Sequence, residues 1–110
     1  MLTPLPAVKG WAVVERGAAV GSVISYRSTD ESQRILYAVR NEWSQDMGTV
    51  DAMGRAWRRV PHGEDEWLGT GTVLDGARRI LGLEDDVRLE QRPLDALRTA
   101  PAAQRERDDG

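Results

Sequence analysis

Two stretches of this chain begin and end alike, and together they constrain its fold more than any other feature. Gly48-Thr49-Val50-Asp51-Ala52-Met53-Gly54-Arg55-Ala56-Trp57-Arg58-Arg59-Val60 opens on Gly-Thr-Val and closes with an arginine pair before an aliphatic residue. Gly71-Thr72-Val73-Leu74-Asp75-Gly76-Ala77-Arg78-Arg79-Ile80-Leu81 is a shorter version of the same plan. In the first, Val50, Met53, Trp57 and Val60 recur at i, i+3, i+7 and i+10, one stripe of a helical period. Thr49 is placed to cap it, Asp51 suits the positive end of a helix, and Pro61 forbids continuation. Gly54 in mid-helix costs about 1 kcal/mol relative to Ala, which is accounted for if another backbone approaches closely there. In the second, Thr72 caps with Asp75 three residues on, Val73, Ala77, Ile80 and Leu81 face inward, and Gly82 supplies a left-handed stop. Both stretches are expected to be helices packed on a sheet built from the chain before them.

That sheet is read from three short alternating runs. Trp11 to Arg16 is the first strand, Gly17-Ala18 a tight reversal, and Ala19 to Arg27 the second strand. A polar loop, 28–33, leads to a third strand from Arg34 to Trp43, with Ile35, Tyr37, Val39 and Trp43 on the core face. Short consecutive strands pair as an antiparallel meander. Downstream, Val87 and Leu89 alternate as in a short edge strand. Pro93 opens a short third helix with Leu94 and Leu97 inward, and Pro101 to Gly110 reads as a disordered tail. The expected fold class is α+β: a three-stranded antiparallel sheet packed by two helices, a short third helix and the tail. The expected divisions are an extended lead-in over 1–10, a compact domain over 11–83, a peripheral strand and helix over 84–100, and the tail over 101–110.

Composition narrows the chemistry. With no cysteine, the chain has no disulfide, no zinc-thiolate site and no thiol catalysis. No apolar run reaches the roughly 18 residues of a membrane helix, and Met1 to Gly10 lacks the pattern of a secretion signal, so a cytoplasmic protein with no membrane partner is expected. Lys9 is the only lysine, phenylalanine is absent and arginine is frequent, a bias of GC-rich genomes that suits an accessory protein of a phage, plasmid or chromosome. Up to Gly82, ten basic residues balance ten acidic ones. From Leu83 on, five arginines face eight acids, so the net charge of −3 sits in the stretch from Leu83 to the end. A neutral body has no long-range field to steer it onto nucleic acid.

No motif fixes a reaction. His62 stands beside Glu64, Asp65 and Glu66, but one histidine and adjacent acids on a loop lack the converging ligands of a metal site. Gly69-Thr70-Gly71-Thr72 lacks the Lys-Ser/Thr ending of a phosphate loop and reads as a helix entry. Asp85-Asp86 reads as an exposed acidic run. Neither an enzyme nor a cofactor is expected. The four tryptophans are the richest feature. In a chain without phenylalanine they are expected to carry the core, with Trp43 and Trp67, near loops, reaching the surface as anchors for a protein partner. The arginines offer an alternative: Arg27, Arg34 and Arg40 on the non-core sheet face, with Arg58 on the first helix, would bind DNA as a β-sheet does.

Three short strands followed by Gly48-Thr49-Val50 and a helix carrying Ala56-Trp57 resemble the AP2-type and integrase arm-binding domains over Trp11 to Val60. Those domains end their sheet in a Gly-Thr-Phe turn and an alanine-rich helix, and the resemblance implies a sheet laid on DNA. The residues themselves favour a small non-catalytic regulatory module that binds another protein, and the open edges of so short a sheet invite a homodimer.

Overall fold

The computed structural model describes residues 7–27, 34–84 and 86–97. Most of the expected lead-in, the polar loop 28–33 and the expected disordered tail lie outside the described residues. Strands β1 (Ala7–Glu15), β2 (Ala18–Arg27), β3 (Ile35–Asn41), β4 (Asp46–Asp51), β5 (Arg55–Arg58) and β6 (Glu66–Thr70) form an antiparallel meander. Helix α1 (Val73–Leu81) then carries the chain across the sheet to β7 (Val87–Arg92), which pairs antiparallel with the free edge of β1. The result is one seven-stranded sheet in the order β6-β5-β4-β3-β2-β1-β7.

Local chemistry explains the elements that were expected. Arg16 and Gly17 both have positive φ, the requirement of the primed turns whose twist suits a β-hairpin, and they join β1 to β2. Thr72 is the N-cap of α1. Its hydroxyl accepts from Asp75 N–H at 3.0 Å, Asp75 accepts from Thr72 N–H at 3.2 Å, and Gly82 closes the helix in the left-handed region. Val13, Val23, Val39 and Val50 from the sheet, Ala56 from β5, Ala77 and Ile80 from α1, and Val87 from β7 form the buried core on the face that α1 covers. The opposite face is covered over β1 by a single helical turn at 94–97, whose Leu94 and Leu97 lie on Gly10.

The expected three-stranded sheet with two helices is therefore corrected to a seven-stranded sheet with one nine-residue helix and the turn at 94–97. The first organising stretch is not a helix. Gly48 to Arg58 is the β4–β5 hairpin, and it takes with it the helix on which the likeness to the DNA-binding families drew. Asp51 is the deciding residue. One carboxylate oxygen accepts from the Met53 and Arg55 N–H groups, each at 2.9 Å, and the other from Arg55 Nε at 2.6 Å. That is the turn-forming use of an Asp side chain rather than its helix-terminal use. Gly54, at φ 83, completes the turn, and its carbonyl accepts from Gly71 N–H at 3.0 Å. Another backbone does approach Gly54, but at a turn. A helix capped by Thr49 would have placed Ala52 at the position where Asp75 closes the capping box after Thr72. The expected peripheral strand is integral as well, since Val87 is in the core and β7 seals the β1 edge. The core is built of valine, alanine and isoleucine. Trp11 and Trp57 are half-buried, and Trp43 and Trp67 lie outside it.

Two consequences are measurable. A Cβ at Gly76 would stand 2.5 Å from Val50 Cγ2 and 3.3 Å from Ala56 Cβ. Gly76→Ala should thus lower stability by about 1–2 kcal/mol in urea denaturation, against the gain that alanine brings to an open helix. An unchanged or raised midpoint would show that β4 yields to the helix. For Asp51, burial pushes the carboxyl up, but the hydrogen bonds from the Arg55 backbone, the Arg55 guanidinium and the Met53 backbone outweigh it and hold the group below its ordinary 3.8. Its contribution is present above that value and lost as the pH falls through the lower folded-state value. Asp51→Asn should cost about 1–2 kcal/mol at neutral pH. Thermal melts should show a smaller acid-side loss for the variant than for the parent, and parallel curves would rule out this role.

Candidate functional site

The two faces of the sheet differ in what they leave to solvent. Ala56 and Val50 point to α1, so Trp57 points away from it. The register sets Thr49 opposite Trp57 and Trp57 opposite Trp67, so the outer face carries a row running Ala38, Thr49, Trp57, Trp67 from β3 to β6. Trp57 is half-buried, whereas Trp67 on the edge strand is 60% exposed. Trp43 is 56% exposed in the β3–β4 turn. That turn is held by Asn41, whose side-chain oxygen accepts from the Trp43 and Gln45 N–H groups at 2.9 and 3.0 Å. Because Arg40 pairs with Asp46 and Arg58 with Glu66, the β3–β4 turn and the start of β6 lie at the same end of the sheet. The two tryptophans expected at the surface thus share one end of the molecule. Their sequence signal was position: each lies beside a polar, acidic loop. Trp57, their half-buried neighbour, had no such signal because its segment read as a helix.

Two ion pairs cross this end. Arg59 holds Asp46, tying the start of the β5–β6 connection to β4, and Arg58 holds Glu66, tying the end of β5 to β6. Exposed pairs of this kind contribute little to stability. Their effect here is on chemistry, since both guanidinium groups are occupied by a carboxylate of the same chain.

The structure does not collect the four arginines proposed for DNA on one surface. Arg27 is opposite Ile35 at one end of β2–β3, with Arg34 beside it. Arg40 is opposite Ser22, five register steps or roughly 17 Å along the strands. Arg27 is in phase with Val23 and Ser25 on the helix side, whereas Arg40 is in phase with Ala38 on the outer face. Arg40 donates to the Tyr26 hydroxyl at 2.9 Å. Arg58 is in phase with Ala56, on the helix side, and bound to Glu66.

A cavity of about 590 Å³ lies at the end opposite Trp43, floored by Ile35, Leu36, Ala52 and Met53 and edged by Arg34 and the Asp51–Arg55 pair. The side chain of His62 is exposed in the β5–β6 connection, and among the described residues no three His, Asp or Glu side chains converge as a metal-holding group. Both sheet edges carry protective features. β6 is short and bulged at Gly69, where Arg79 donates to the Leu68 carbonyl at 3.3 Å. Along β7, Arg88 and Arg92 both pair with Glu90, which presents charge on that edge strand. Among the described residues, no helix is long and apolar enough to cross a membrane. Compared with known proteins, the chain matches no family model, no curated protein and no solved structure.

The exposure of the indoles can be checked directly. Acrylamide should quench the emission of the protein strongly, and Trp43→Phe with Trp67→Phe should remove most of the quenchable fraction, leaving the shielded emission of Trp11 and Trp57. Unchanged quenching in the double variant would place those indoles inside the fold.

Proposed function

We propose that this chain is a small non-catalytic regulatory module that holds a protein partner on the sheet end carrying Trp43 and Trp67. The observation that carries the reading is the exposure of both indoles at one end of the sheet, where the neighbouring arginines are already paired with carboxylates. Tryptophan is the side chain most enriched among residues that dominate binding energy, and two that are each more than half exposed supply the centre of such a surface. Association through sheet edges has less support, because β6 is bulged and β7 is charged. Duplex DNA is the alternative partner, and the division of Arg27, Arg34, Arg40 and Arg58 between two faces and two ends weighs against it.

The test compares the parent protein with the Trp43→Ala/Trp67→Ala double variant, immobilised at equal density and exposed to the same lysate of the source cells. At least one retained protein should fall by about tenfold or more in the variant, the scale of a lost hot spot. Identical retention would sink the proposal. A labelled mixed-sequence duplex titrated in parallel should not bind at low salt. Micromolar binding that falls steeply with salt would transfer the function to the arginines.

A further inference from the structure

The charges around the two exposed indoles do not cancel. The end of β3, the β3–β4 turn, the start of β4, the β5–β6 connection and the start of β6 bring together Glu42, Asp46, Glu64, Asp65 and Glu66, against Arg40, which donates to the neutral Tyr26 hydroxyl, Arg58 and Arg59. Arg59 takes Asp46 and Arg58 takes Glu66. Glu42, Glu64 and Asp65 are exposed, and among the described residues no cation pairs with them. Glu42 directly precedes Trp43, and Glu64 and Asp65 lie two or three residues before Trp67. Each exposed indole therefore has an uncompensated carboxylate close by in the chain.

From this we infer that the surface takes a basic segment of its partner, an extended stretch whose arginine or lysine side chains lie over Trp43 and Trp67. The inference rests on the reading of these tryptophans as anchors and adds the chemistry of what they hold. A cation over an indole is drawn to the negative face of the ring, and tryptophan is the strongest ring for this contact. The neighbouring carboxylates add attraction of the same sign and repel a phosphate backbone or an acidic peptide. The span is also set. Trp43 in the β3–β4 turn and Trp67 on β6 lie between two and three strand spacings apart across the sheet, roughly 12 Å, which an extended segment covers in about four residues. The best occupant carries two cations about that far apart.

The probe is a fluorescein-labelled nonapeptide with two arginines four positions apart in a serine–alanine background. Its counterpart with citrulline at both positions keeps the shape and loses the charge. Fluorescence anisotropy at low and moderate salt should show the arginine peptide binding at least about fivefold more tightly than the citrulline peptide. Trp67→Ala and Trp43→Ala should each weaken it by about fivefold. The Glu64→Gln/Asp65→Gln double variant, which leaves both indoles and both ion pairs in place, should weaken it and flatten its salt dependence. Equal binding of the two peptides, or arginine-peptide binding indifferent to the tryptophans, would overturn the inference. If neither peptide binds while the lysate comparison still shows tryptophan-dependent capture, the cationic occupant is wrong and the docking surface stands. If capture is also indifferent to the tryptophans, both fall.

Discussion

Nine residues of α-helix are about 14 Å long, whereas seven strands laid flat are roughly 29 Å wide. Helix α1 nevertheless packs on β3, β4, β5, β6 and β7. The sheet has to curl around its one helix, and the irregularities in the β1–β2, β3–β4 and β5–β6 ladders are the means. Curling this tightly leaves little room between the layers. That is why Gly76 and Ala77 meet Val50 and Ala56 at the contact, and why the core is valine and isoleucine rather than tryptophan.

The same geometry decides what is left outside. A large indole on the helix side of β5 or β6 would push α1 off the sheet. Trp57 and Trp67 point to the convex side, where nothing limits their size. The arginines, many of them tied to acids on neighbouring strands or turns, contribute local order and little field. A surface made in this way is selective by shape and aromatic contact, with charge as a local bias.

Where the sequence misled, the reason lies in particular residues. β1, β2 and β3 were legible from their runs of strand-forming residues, while the reversal between the first two was read one residue late, at Gly17-Ala18 rather than Arg16-Gly17, because Gly17 suits either turn position. α1 was legible because Thr72, Asp75 and Gly82 mark both ends. The β4–β5 hairpin was hidden by a coincidence of spacing: Val50, Met53, Trp57 and Val60 fit a helical stripe, yet Met53 sits in the turn and is 73% exposed. The signals that decide the matter were present in Asp51 and Gly54, which bracket a turn, and in Ala52, which cannot close a capping box. The seventh strand was visible as alternation, but its partner was not. Nothing local in Val87 to Arg92 says that it belongs beside β1. Of the surface, flanking loops pointed Trp43 and Trp67 outward, but the apolar pattern pulled the other way, setting Trp43 on the core face of the third strand and Trp67 beside Leu68 in the interior. The ion pairs that isolate Glu42, Glu64 and Asp65 depend on strand register.

The pairing of Gly10 with Arg92 also sets the order in which the molecule can be completed. β1 leaves the ribosome before any other described strand and finds β2 at once through a two-residue turn, but its other edge stays open until β7 has been made. Closing that loop carries the largest chain-entropy cost in the sheet. Until then, the edge of β1 that β7 will cover presents unpaired backbone to any passing strand. The first strand synthesised is thus the last to be sealed, which makes the interval before β7 appears the period of greatest exposure to misassociation.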